Sequence, residues 1–217
     1  MSTTTVKLIL DHVYAHAAET PDKLYLIQPI GFGEVKDYNW QEVVDQAQRM
    51  AAHLQAKGFK PGARIAILST NCAHFIIAEL AIWMSGGTTV AIFPTETAET
   101  IRYVLDHCEA SLLFIGKLEN WDQQRSAVPE VLPCISLPLA PSTGYETWDS
   151  IIASTAPQTE KAQRAPNDLA LICYTSGSTG HPKGVMHSFD NFARAITEGG
   201  FQSVPKLTFP GGAQPAE

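Results

Sequence analysis

From Val43 onward, apolar residues recur at Val44, Ala47, Met50, Ala51 and Leu54, a spacing that puts all six on one face of an α-helix. Asn39 stands three residues before Glu42, a capping box with Asn in place of Ser or Thr, and Gly58 lies just past the end as a left-handed terminator. Leu8, Ile9, Val13, Ala17 and Ala18 give an earlier helical pattern, Leu8 to Ala18, which ends before Pro21. Leu24 to Gln28 reads as a short strand, stopped by Pro29 and Gly31.

The next hundred or so residues alternate between two periods. Arg64 to Ser69, Thr88 to Phe93 and Ser111 to Ile115 are apolar runs of strand length. Between them lie an almost wholly apolar helix, Ala73 to Ser85, and an amphipathic one, Ala98 to His107, with Ile101, Val104, Leu105 and Cys108 aligned. Strand, helix, strand, helix, strand with short connections predicts a doubly wound α/β fold, a mostly parallel sheet with helices on both faces. Leu132 to Leu137 is a further strand candidate. Pro138 to Asn167, rich in Pro, Ser, Thr and Ala with a helical candidate at Trp148 to Ala153, reads as a surface connection into the strand Leu169 to Tyr174.

The 217 residues suffice for a sizeable core, and 45% apolar with 17% charged residues is an ordinary globular balance. A net charge of −7 and a pI near 5.5 argue against a nucleic-acid binder. Cys72, Cys108, Cys134 and Cys173 form no C-x-x-C pair and have no His at metal-ligand spacing, which argues against zinc and for free thiols in a reducing, cytosolic setting. The start of the chain lacks a secretory pattern. The longest apolar run, Phe75 to Met84, contains Glu79 and is too short to cross a bilayer, so any membrane contact would be peripheral.

The most unusual chemistry is concentrated in Tyr174 to Ser188, YTSGSTGHPKGVMHS. Gly177, Gly180 and Gly184 permit positive φ and close approach of backbone to a ligand. The hydroxyls of Thr175, Ser176, Ser178 and Thr179 and the ammonium of Lys183 surround them, and successive amides in such a turn form a nest for an anion. This composition suits a polyphosphate. Lys183 follows Pro182 and precedes Gly184, so the loop is not a Walker A motif, and a kinase or ATPase built on that motif is disfavoured.

The stretch Tyr174 to Val185 resembles, at each fixed position, the phosphate-loop signature of the acyl-adenylate-forming (AMP-binding) superfamily. The upstream blocks WMSGGTTVAIFPTETAETIRYVLDHCEASLLF, PDKLYLI and YNWQEVVDQAQRMAAHL are similar to the same family, so that the likeness reaches about Ala195. It implies the N-terminal part of such an enzyme's large domain over residues 1–200, with 201–217 a disordered or non-native tail. It further implies phosphate binding by Thr175, Ser176, Gly177, Ser178, Thr179, Gly180 and Lys183, with Lys183 also catalytic, and Tyr174 and Pro182 shaping the loop. The implied reaction joins a carboxylic acid to coenzyme A through an acyl-adenylate, using ATP and Mg²⁺. The GVMHS-x-x-N continuation resembles ligases of long chains, which points to a fatty acid.

The likeness has two breaks. Many relatives place a histidine two residues before the asparagine matched by Asn191, whereas here Phe189 occupies that position and His187 is the nearest histidine. The family's adenine-stacking motif, ribose-binding aspartate, hinge and late catalytic lysine also have no counterpart by Glu217. These 217 residues alone are therefore expected to be inactive, and the alternative is a non-catalytic nucleotide-binding or regulatory module derived from the family.

Overall fold

A computed structural model describes residues 7–175 and 182–198. The chain opens with helix α1 (Ile9–Glu19) and a two-stranded antiparallel hairpin, β1 (Leu24–Gly31) and β2 (Glu34–Asn39). Helix α2 (Trp40–Ala56) starts at the expected cap: Asn39 Oδ1 accepts from the Glu42 amide at 2.8 Å, and Glu42 Oε2 accepts from the Asn39 amide at 2.9 Å. Its six aligned apolar residues are all buried, and Gly58 takes φ +76° just past its end.

Then follow β3 (Arg64–Leu68), α3 (Ala73–Met84), β4 (Thr88–Ile92), α4 (Ala98–His107), β5 (Leu112–Ile115) and the short α5 (Trp121–Gln124). After β6 (Cys134–Ser136) come β7 (Glu146–Thr147), α6 (Trp148–Ser154), β8 (Leu169–Thr175), β9 (Lys183–Ser188) and α7 (Phe189–Glu198). Among the described residues, seven strands form one sheet in the order β7-β6-β5-β3-β4-β8-β9, parallel throughout except for β9.

Alternation along the central strands feeds two cores. Ile65 and Ile67 of β3 and Leu112 and Phe114 of β5 pack under α2 and α3, against which α1, α6 and α7 also lie. Ala66, Leu68, Leu113 and Ile115 face the other way, onto Ile101, Val104 and Leu105 of α4 and Trp121 of α5. The expected two-sided α/β architecture is therefore present. No helix among the described residues is long and apolar enough to cross a membrane.

Two local expectations are corrected, and one strand had no forecast. β1 continues through Pro29 to Gly31 because its partner β2 is a hairpin arm outside the main sheet, where a bulge accommodates the proline. β2 reads EVKDYN, with only Tyr38 buried, so it carried no apolar signal. The segment from Pro138 to Asn167 is not a mere surface connection. It adds β7 to the sheet edge, buries Trp148 completely and brings in Arg164 with its side chain only 6% exposed.

Candidate functional site

β8 lies between β4 and the antiparallel β9, and its inner residues Ala170, Ile172 and Tyr174 are buried. The β8–β9 ladder runs from Leu169 opposite Ser188 to Thr175 opposite Lys183. The described ends of the motif, Tyr174–Thr175 and Lys183–Ser188, are thus antiparallel partners in a β8–β9 hairpin at the carboxyl end of a parallel strand, where α/β sheets take their ligands. Thr175 and Lys183, both exposed, face each other across its mouth. Being directly paired, they share a sheet face with Cys173 and Val185, while Tyr174 and Gly184 share the other. Of the remaining candidate residues, Ser176, Gly177, Ser178, Thr179 and Gly180 lie outside the described residues.

The root of the hairpin is tied to α4. The Tyr174 hydroxyl and His107 Nδ1 form a hydrogen bond at 2.7 Å, the donor set by the imidazole tautomer. Burial pushes the Tyr174 phenol up to about 12, so it stays protonated across the physiological range. Gly184 has a role other than the positive φ expected for it. It is extended, and a Cβ there would meet Ile172 Cγ2 at 3.0 Å and the Tyr174 ring at 3.4 Å. Glycine at 184 lets that ring lie across β9.

Phe189, at the position where the family resemblance led to an expected histidine, is fully buried, edge-on to Trp83 at 5.5 Å and beneath the Arg164 guanidinium at 4.8 Å. It begins α7 and packs the core. His187 is half-buried, its ring 6.2 Å from that of Phe192. Trp83 Nε1 donates to the Ala170 carbonyl at 2.8 Å, which fastens α3 to β8.

Sequence reasoning missed the electrostatics of Glu79, one turn before Trp83 on α3. Burial pushes its carboxyl up from 4.5 to about 7. The Glu79 charge also adds to the burial that raises the Cys173 thiol. The folded protein therefore holds a proton that the unfolded chain releases. Glu79 lets stability be full below pH 4.5 and withdraws it as pH rises toward 7. Buried His74 acts in the opposite sense: its imidazole is pulled from 6.5 down to about 4, so stability is lost as pH falls through that window. Glu79→Gln should add about 2 kcal/mol at pH 8 and almost nothing at pH 4, measured by urea unfolding at both pH values. An equal effect at the two pH values would refute this account.

An exposed hydroxyl and an exposed ammonium facing each other across a hairpin mouth suit phosphate oxygens, which accept from both. Among the described residues no cluster of three or more His, Cys, Asp or Glu side chains could hold a metal.

Sheet order and strand directions place the chain among the mostly parallel α/β proteins. The AMP-binding enzyme family matches residues 13–209, and the chain belongs to that family. It is 32% identical over 192 residues to a methyl-dioxo-octahydro-indenyl-propanoyl:CoA ligase of Mycobacterium tuberculosis, a match covering 84% of this chain and 36% of the relative. It is 31% identical over 179 residues to a long-chain-fatty-acid–CoA ligase of Homo sapiens, covering 74% and 26% respectively. Among solved structures, an anthranilate CoA ligase in complex with anthranoyl-AMP superposes with a TM-score of 0.76 at 20% identity, over 88% of this chain and 36% of that one. The chain thus spans about a third or less of the length of these relatives.

Proposed function

We propose that this chain is the N-terminal, phosphate-binding part of a cytosolic ATP-dependent acyl-CoA ligase that activates a fatty acid as its acyl-adenylate and passes it to coenzyme A. The observation that carries this reading is the antiparallel pairing of β8 with β9, which sets Thr175 opposite Lys183, two members of the YTSGSTGHPKG stretch, at the carboxyl end of β8. Family membership and the CoA ligases among its relatives support it.

In this reading residues 1–200 form the AMP-binding part, and residues 201–217, expected from the sequence to be a tail, lie outside the described residues. ATP with Mg²⁺ supplies an α-phosphorus for the acid's carboxylate to attack and pyrophosphate as the leaving group. The chain's own contribution is electrostatic. Lys183 places a positive charge where negative charge gathers on the departing phosphates, and Thr175, Ser176, Ser178 and Thr179 add hydroxyl donors. Gly177 and Gly180 let the turn's amides approach the same oxygens. A donor set fixed before reaction needs no reorganisation as the charge moves.

Calorimetric titration of the 217-residue chain with magnesium pyrophosphate and with Mg·ATP tests the assignment. Lys183→Ala should weaken both about tenfold or more, since a charge-assisted contact is lost. Equal affinities of wild type and variant would remove Lys183 from the site. With ATP, Mg²⁺, fatty acids and hydroxylamine, the chain alone should form no hydroxamate, because it spans about a third or less of its relatives. Hydroxamate from it would overturn the proposed division of labour.

A further inference from the structure

Tyr174 is the last buried residue before the hairpin mouth, one position ahead of Thr175. Its ring has two restraints. On β9 it lies over Gly184, where no side chain competes for the space. At its hydroxyl end it meets His107 Nδ1 at 2.7 Å, with the imidazole edge-on at 5.8 Å and stacked in turn on Tyr103 at 5.3 Å. His107 closes the last turn of α4 and is itself exposed. α4 belongs to the second core, which also takes in Tyr174. A helix anchored in that core thus fixes one end of a strand whose next residue opens the candidate phosphate loop.

We propose that His107 is a positioning residue: through the Tyr174 hydroxyl it fixes the end of the β8–β9 ladder, and so the spacing of Thr175 and Lys183 across the mouth. This rests on the phosphate-binding reading for its functional consequence, though not for its structural one. A hydrogen bond at the tip of a two-strand ladder matters because the ladder's last pair has no further pair beyond it among the described residues, and terminal pairs open most readily. His107 touches no phosphate in this scheme. It acts only by reducing the positions that Thr175 can sample, so that both donors are in place before the anion arrives.

Hydrogen exchange and magnesium pyrophosphate titration on the full chain test this. Tyr174→Phe keeps the ring over Gly184 and removes the hydroxyl; His107→Leu removes the partner. Both should speed exchange of the amides that bond across the last two β8–β9 pairs, Tyr174–Gly184 and Thr175–Lys183, about five- to tenfold and weaken pyrophosphate binding by a similar factor, with exchange in β3 and β4 unchanged. His107→Asn, whose amide reaches the place of Nδ1, should restore both quantities, a rescue that loss of packing alone would not give. Wild-type imidazole nitrogen shifts should change in Tyr174→Phe. Unchanged ladder exchange in both variants, or no rescue by asparagine, overturns the positioning role. A wild type that binds no pyrophosphate while its ladder responds as described overturns the phosphate reading instead.

Discussion

Arg164→Ala is expected to lower stability by about 3 kcal/mol or more, seen as a fall in the urea midpoint with the slope unchanged. The guanidinium spends four of its five N–H donors on one junction. Nη1 donates to the Trp83 carbonyl at 3.1 Å and to the Gly87 carbonyl at 2.8 Å, Nη2 to the Leu169 carbonyl at 3.4 Å, and Nε to Asp168 Oδ2 at 3.0 Å. Its face covers Phe189. One side chain thereby joins the end of α3, the start of β8 and the start of α7. Truncation leaves three carbonyls without this donor, each costing about 1 kcal/mol or more. Loss of the Asp168 contact adds little, because that carboxylate is 43% exposed and water can replace the arginine. Arg164→Lys should recover less than half of the loss, since a single ammonium cannot serve the fork of acceptors and stack on a ring together. A lysine variant as stable as wild type would show that charge, not the planar fork, holds the junction.

Nothing in the sequence around Arg164 announces this. It sits among Pro, Gln, Thr and Ala, a composition of loops, and its partners are backbone carbonyls up to 81 positions away. Long-range contacts of this kind have no local period, which is why Pro138 to Asn167 read as a surface connection. What was legible had a period or a local motif: the apolar stripe and capping box of α2, the alternating runs from β3 to β5, the glycine after α2. β9 was hidden for a different reason. Its residues KGVMHS belong to the candidate loop motif, and chemistry drew the reading away from their strand pattern. At the site, the residue types were legible, whereas the pairing of Thr175 with Lys183 and the tie from Tyr174 to His107 needed the fold.

Trp148→Ala should be costlier still, about 3–5 kcal/mol, because the cost follows cavity volume and this indole is wholly buried. It opens α6 right after the short β7, and its ring is tilted against Phe114 at 6.0 Å and edge-on to His74 at 5.5 Å. Its Nε1 donates to Gln46 Oε1 at 3.1 Å, while His74 Nε2 lies 3.3 Å from the same oxygen. Alanine therefore empties the space between α2, α3 and the sheet and deprives a shared acceptor of its indole donor. Trp148→Phe separates the two effects: it keeps most of the volume and loses the donor, so about 1–2 kcal/mol should go. If both variants cost the same, the hydrogen bond to Gln46 rather than the packed volume carries the tryptophan's contribution. Neither change touches the hairpin mouth, so pyrophosphate affinity measured below the unfolding transition should stay at the wild-type value. A parallel loss of binding would mean that this core and the β8–β9 hairpin are coupled more tightly than their separation along the sheet order suggests.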